Sequence, residues 1–224
     1  MQTHRIVFKF EGGDADRHRL DPSDFIDHIT AARQLLALHA HFFVTMNMPV
    51  RGVLSHGHGY RVTIAAAQEG SFEVHWIVEV IAKEVVGYLG RKALEYSYAH
   101  FLKDSIASML SSKETSMPPE LRREPVLEFS DRTNARFIDT DAERGHDWRA
   151  FQGRSKGILT NVSRPVGRSA SVMGISVADN DNGRIVTIDE PTLRRLHADA
   201  LAYRQMQITD ALSSLKLRTA ARLV

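Results

Sequence analysis

The chain has 224 residues, of which 43% are hydrophobic and 25% are charged, and it contains no cysteine. This composition is typical of a globular protein and excludes collagen-like, disordered and disulfide-based chains, while the missing cysteines exclude thiolate nucleophiles, zinc–thiolate sites and iron–sulfur clusters. The net charge of only +2 weighs against nucleic acid as the main partner. Because we find neither a signal peptide nor an apolar run of about 20 residues, we expect a cytoplasmic protein without membrane contact.

The N-terminal half combines several predicted strands with one strongly marked helix. Residues 5–10 alternate between polar and apolar side chains, which predicts a half-buried strand. Asp21 is a typical helix N-cap, and apolar residues recur at spacings of three and four after it, so Pro22–Thr45 is predicted to be a helix packed on a sheet. Further elements are strands over residues 50–54 and 60–66 and a long helix from residue 77 to residue 111. Residues 71–76 fit a further strand, and the alternative is that they already lead into this helix.

The C-terminal half begins after a polar, proline-containing stretch. Residues 113–125 are predicted to be a linker because three prolines interrupt them. A C-terminal helix is predicted to begin at Asp189 or Glu190, since Pro191 follows at a position that favours the first helical turn. The predicted strands cover residues 126–129, 158–162, 171–178 and 184–188, and a hairpin turn over residues 179–183 joins the last two.

These elements predict an α+β fold. A small antiparallel sheet with one packed helix and a long central helix precedes a smaller β-rich unit and a C-terminal helix. The predicted units are residues 1–112 and residues 126–224, and one core shared by both is the alternative. The long helix carries apolar side chains on more than one face, which indicates a homo-oligomer or a partner protein. These side chains are Tyr88, Tyr96, Tyr98, Phe101 and Leu102.

A basic segment is the strongest candidate for ligand binding. Residues 144–168 contain five arginines and one lysine against Asp147 alone. Glycines that expose backbone N–H groups, together with arginines and serines, fit phosphate oxygens. A solvated basic loop is the alternative. A small nucleotide or a protein partner is favoured over nucleic acid because few aromatic residues accompany the charges. The candidate anion-binding residues are Arg149, Arg154, Lys156, Arg164 and Arg168.

A second candidate is a pair of histidines between two predicted strands. His56 and His58 alternate around Gly57, a spacing at which two imidazoles can bind one metal ion. Further ligands would be required, and a polar hairpin tip is the alternative interpretation. A metal-dependent phosphoesterase or nuclease is therefore the rival hypothesis. Since no complete catalytic set stands out, the leading hypothesis is a non-enzymatic binding and assembly module without a cofactor.

Three short motifs carry a resemblance. They are Phe10-Glu11-Gly12-Gly13 leading to Leu20-Asp21, then Glu69-Gly70-Ser71-Phe72-Glu73, and then Arg164-Pro165-Val166-Gly167-Arg168-Ser169. In these motifs the chain resembles a loose group of uncharacterised bacterial proteins associated with mobile elements and phage defence. The resemblance implies a component of a bacterial multicomponent system, and it implies no catalytic residue.

Overall fold

The computed structural model describes most of the chain in several stretches. They are residues 1–45, 48–49, 56–57, 59–65, 72–81, 97–111, 127–128, 136–137, 140–177 and 184–220. The predicted linker 113–125, the predicted strand 50–54 and the predicted hairpin turn 179–183 lie outside them, as do Tyr88 and Tyr96.

The described residues form four α-helices and eight strands. The helices are α1 (Pro22–Thr45), α2 (Tyr98–Leu110), α3 (Thr140–Val162) and α4 (Glu190–Ala220). The strands are β1 (Gln2–Glu11), β2 (His56–Gly57), β3 (Tyr60–Ile64), β4 (Phe72–Val80), β5 (Leu127–Glu128), β6 (Arg136–Phe137), β7 (Val172–Val177) and β8 (Arg184–Asp189). This architecture confirms the predicted α+β class.

One antiparallel sheet of six strands, in the order β2-β3-β4-β1-β7-β8, organises the fold. Strand β1 is central and pairs with β4 on one side and with β7 on the other. Phe8 lies opposite Val74 in β4 and opposite Ile175 in β7. Strands from both predicted units therefore belong to the same sheet, and their inward side chains enter one core.

Strand β4 extends further than the sequence predicts. The long helix was expected to begin at residue 77, but residues 77–80 continue the strand, so that boundary is wrong. Val74, Trp76, Val78 and Val80 are buried on the inner face. Buried residues at every second position are typical of a strand. The apolar residues from residue 77 onward also recur at spacings of three and four, which favours a helix, so the pattern does not show where the strand ends.

Helix α1 begins and ends where the sequence predicts. The Asp21 carboxylate accepts hydrogen bonds from the backbone N–H groups of Ser23 and Asp24, at 2.8 and 3.2 Å. These bonds satisfy donors that the first helical turn otherwise leaves open. The helix packs on β3 and β4 on one side and on α3 on the other, which explains why most of its residues are buried.

Helices α1, α2 and α3 meet in an aromatic cluster. The ring of Phe42 in α1 stacks on Phe151 in α3 with centroids 4.4 Å apart, and Phe101 in α2 packs against both. Tyr98, Phe101 and Leu102 are fully buried. The prediction that these three side chains add exposed apolar surface for self-association is therefore wrong, because other helices of the same chain cover them.

Helix α3 replaces a predicted loop and a predicted strand. Trp148, Phe151, Leu159 and Val162 are buried at helical spacing, so the strand expected over residues 158–162 is wrong. Gly153 faces α4 so closely that an added Cβ would overlap the ring of Tyr203. The glycine allows the two helices to approach each other.

Helix α4 confirms the predicted start of the C-terminal helix. The Asp189 carboxylate accepts a hydrogen bond from the backbone N–H of Thr192 at 3.0 Å, and the helix continues for 31 residues. Its first part buries Leu196 and Ala200, whereas nearly all residues from 201 to 213 are exposed. None of the described helices is both long and apolar enough to cross a membrane.

Candidate functional site: a cleft at the start of helix α1

A cleft of about 580 Å³ opens beside the first turn of α1. One wall is formed by residues of the segment 14–24, and the other wall is formed by Arg168 and Ser169. We call it the Arg168 cleft. The first wall includes Leu20 and Asp21, and the second wall includes Arg168 and Ser169. These residues belong to two of the three motifs that carry the resemblance, and the two motifs are more than 140 residues apart in the sequence.

Backbone hydrogen bonds hold the two walls together. The N–H of Ala15 donates to the carbonyl of Ser169 at 3.0 Å, and the N–H of Ser171 donates to the carbonyl of Glu11 at 2.9 Å. Gly13 has a φ of +64°, and a Cβ there would lie 3.2 Å from the carbonyl oxygen of Ser169. Glycine therefore suits this turn, which brings the first wall against the second.

The second wall is a compact turn that follows α3. The carbonyl of Pro165 accepts hydrogen bonds from the N–H groups of Arg168, Ser169 and Ala170, at 3.0–3.1 Å. Gly167 has a φ of +79°, which favours glycine. Because these backbone groups bond to each other, the turn presents the Arg168 side chain from a fixed backbone.

A buried carboxylate connects the turn to α1. The Asp24 side chain is only 4% exposed, and its Oδ1 lies 3.0 Å from Nη1 of Arg168 and 3.6 Å from Nε of Arg164. Arg164 also pairs with Asp27, one turn further along α1. The side chains of Arg164 and Arg168 are 45% and 56% exposed, so each arginine neutralises a carboxylate and still reaches solvent.

The donors and acceptors of the cleft determine what it can bind. The free amides at the start of α1 are already bonded to Asp21, and the hydrogen bonds from Ser23 lower the pKa of the Asp21 carboxyl. The helix N-terminus is therefore not open to an anion. Arg168 uses Nη1 toward Asp24, and a guanidinium has further N–H donors in a planar fork that suits phosphate or carboxylate. Arg19 adds a second cation to the lining.

The elements that form the cleft also carry buried polar atoms. Nδ1 of His28 is 2.8 Å from the carbonyl oxygen of Val162, and the rings of Phe8 and Phe10 pack edge-on against the imidazole. Burial lowers the pKa of His28 to about 4, so the ring is neutral at pH 7. Within the described part of the chain, three buried atoms lack a hydrogen-bond partner here, and they are Nε2 of His28 and the hydroxyls of Ser163 and Ser169.

Of the five predicted anion-binding residues, Arg168 lines the cleft. Arg164 lies next to it and is paired with Asp24 and Asp27. Lys156 instead pairs with Asp199 of α4 at 3.2 Å. The structure therefore brings two members of the predicted set together at α1 and places a third against a different helix.

The remaining two residues of the set also lie on α3. The positive charge of Arg149 acts on Tyr203 in α4, and that of Arg154 acts on His41 in α1. The idea that the glycines of residues 151–157 expose backbone N–H groups to a phosphate is wrong, because these residues are helical. Anion binding by Arg149, Arg154 and Lys156 stays a prediction.

The predicted histidine pair falls largely outside the described residues. The backbone of His56 forms β2 at the edge of the sheet, and His58 is not among the described residues. Within the described residues, no group of three or more histidines or carboxylates is arranged to hold a metal ion. Metal binding by His56 and His58 stays a prediction.

Sequence reasoning missed Arg19, Ser23 and Asp24 as members of the site. In the sequence Asp24 is an acidic residue in the first turn of a predicted helix. The favourable interaction of an acid with the helix dipole is enough to explain its position, so nothing there indicates a binding site. Its burial and its pairing with Arg168 depend on a contact across 144 positions.

Comparison with known proteins places the chain in a family. A family model described as a domain of unknown function, DUF7946, matches residues 6–196, so the chain belongs to this family. No curated protein and no solved structure matches the chain.

Proposed function

We propose that the protein is a non-enzymatic binding module that holds a small phosphate-bearing ligand, a nucleoside monophosphate, in the Arg168 cleft. The observation that carries the proposal is the meeting of two distant motifs in one cleft, where a fixed turn presents a half-exposed arginine. Of the predicted anion-binding residues, Arg168 faces the ligand, and Arg164 pairs with the same Asp24 carboxylate without lining the cleft.

Arg168 and Arg19 bind the phosphate of the ligand. The guanidinium of Arg168 stays anchored to Asp24 through Nη1 and offers its remaining N–H groups to two phosphate oxygens. Asp14 and Asp21 lie in the same lining, and their carboxylates accept hydrogen bonds from ligand hydroxyl groups. Since these two acids repel additional negative charge, a monophosphate binds better than a triphosphate.

Binding without turnover is supported by the positions of two histidines. His18 belongs to the segment 14–24 but is not among the residues that line the cleft. His28 lies one turn after Asp24 on the same face of α1, yet it is fully buried and bonded to the carbonyl of Val162. A ligand in the cleft therefore does not reach its imidazole. The resemblance of the two motifs to proteins associated with mobile elements and phage defence supports a place for this module in a bacterial multicomponent system.

Isothermal titration calorimetry with AMP, GMP and ATP tests the proposal. We expect the monophosphates to bind more tightly than ATP, and we expect Arg168→Gln to weaken monophosphate binding about tenfold or more, which corresponds to the loss of about 1.4 kcal/mol. The matched control is Arg33→Gln, an exposed arginine further along α1, which should bind like the original protein. Equal binding by both variants would remove Arg168 from the site.

A further inference from the structure

The outer half of α4 exposes a row of large apolar side chains. Leu201, Met206, Ile208 and Leu212 are 50–60% exposed. The helix continues to Ala220, so the segment after Ala200 is about 30 Å long at 1.5 Å per residue. Tyr203 still packs against Gly153 of α3, whereas this row lies on the exposed side of the helix. An exposed apolar surface of this kind indicates a partner.

The spacing of these residues fits another helix. Leu201 and Ile208 are seven residues apart and Leu212 follows after four, which is the pattern of d, d and a positions in a heptad repeat. Gln205 occupies the a position between Leu201 and Ile208, and its side chain is exposed. We call the stripe formed by Leu201, Gln205, Ile208 and Leu212 the α4 seam. Met206, at a b position, lies off the seam.

We propose that the α4 seam pairs in parallel with the same seam of a second copy of this chain. The polar Gln205 side chain within the seam favours a second copy of this chain as the partner. In a parallel pair of identical helices the two Gln205 side chains meet in one layer, where each amide donates to and accepts from the other. An apolar helix from another protein, or an antiparallel copy that places Ile208 opposite Gln205, leaves the amide without a partner in an apolar seam, which is unfavourable.

The seam is short, so the dimer is expected to be reversible. The segment from residue 201 to residue 220 is just under three heptads, and isolated helices of this length gain most of their stability from packing. The inference is independent of the ligand proposed for the Arg168 cleft, because the cleft residues lie on other elements.

Sedimentation equilibrium from about 5 to about 200 µM, a range that brackets micromolar association, measures the mass of the full-length chain. We expect a monomer–dimer equilibrium that Ile208→Glu abolishes and that Met206→Glu leaves unchanged. Both side chains are about half exposed or more, so neither variant should unfold, and circular dichroism checks this. A monomeric original protein over the whole range, or equal effects of both variants, would overturn the proposal.

Disulfide cross-linking tests the orientation. Because the chain contains no cysteine, Leu212→Cys creates one thiol per chain at a seam position and keeps Gln205. Parallel pairing brings the two thiols together in one layer, whereas antiparallel pairing with Ile208 opposite Gln205 separates them. We expect rapid oxidation of Leu212→Cys to a covalent dimer and slow oxidation of the off-seam control Met206→Cys. Equal rates in both variants, or no dimer from Leu212→Cys, would contradict a parallel pair.

Discussion

The ion pairs around Asp24 lead to a prediction about the order of stabilities. The Asp24 side chain is 4% exposed, whereas Arg164 and Arg168 are 45% and 56% exposed. Removing both arginines leaves a buried carboxylate without a counter-ion, and an unpaired buried charge strongly destabilises the folded protein. Asp24→Asn instead frees two arginines that water can hydrate, and the amide oxygen still accepts a hydrogen bond.

The magnitudes follow from this asymmetry. Loss of a partner for a fully buried charge costs about 3–5 kcal/mol, and the half-exposed arginines reduce this to about 2–3 kcal/mol for the double variant Arg164→Gln/Arg168→Gln. Asp24→Asn should cost about 1 kcal/mol, the net value of a typical hydrogen bond. Adding Asp24→Asn to the double variant should restore about 1 kcal/mol or more, because no buried charge then remains unpaired.

Urea unfolding at pH 7, followed by the fluorescence of the two buried tryptophans, Trp76 and Trp148, measures these free energies. The double arginine variant should be the least stable of the three, and the triple variant should be more stable than the double. If Asp24→Asn costs as much stability as the double variant, or if the triple variant is the least stable, then the arginines do not stabilise the Asp24 carboxylate by neutralising its charge.

Two further predictions concern the core. Gly153→Ala should destabilise the protein by about 1–3 kcal/mol in thermal unfolding because the methyl group overlaps Tyr203. In Gly157→Ala the new Cβ would meet only Arg204, at 3.7 Å, so this variant should be more stable by up to about 1 kcal/mol. Equal effects of the two substitutions would contradict the close contact between α3 and α4. Burial lowers the pKa of both His28 and His39 from 6.5 to about 4, so the unfolded chain binds more protons between these values and stability falls as the pH falls. From pH 7 to pH 5 the loss in urea unfolding should be about 2 kcal/mol for each histidine, and a flat profile would show that they are not buried in the neutral form.

Local signals explain what the sequence could predict. Helix α1 carries an N-cap at Asp21, a proline at its first position and a continuous apolar stripe, so propensity, capping and pattern agree. Strand β1 has the alternation of a half-buried strand. Both elements were predicted correctly, because each signal lies within the element itself.

Tertiary contacts explain what the sequence could not predict. The glycines and charges of α3 are typical of a loop, and its helical state depends on packing Trp148 and Phe151 against Phe42 of α1 and Phe101 of α2. The position of β7 beside β1 is a pairing between distant segments, and no local pattern encodes it. The Arg168 cleft depends on that pairing. The sequence therefore shows its two walls as separate motifs but does not show that they lie next to each other in the fold.

The most direct test of the account is a map of ligand contacts by NMR. Backbone amide shifts of the 15N-labelled protein would be followed during titration with AMP. We predict that the largest changes fall in residues 12–24 and 163–171, which form and hold the two walls of the Arg168 cleft. Changes centred on Arg149, Arg154 and Lys156 in α3, or no changes at all, would contradict the claim that the cleft is the ligand site of this protein.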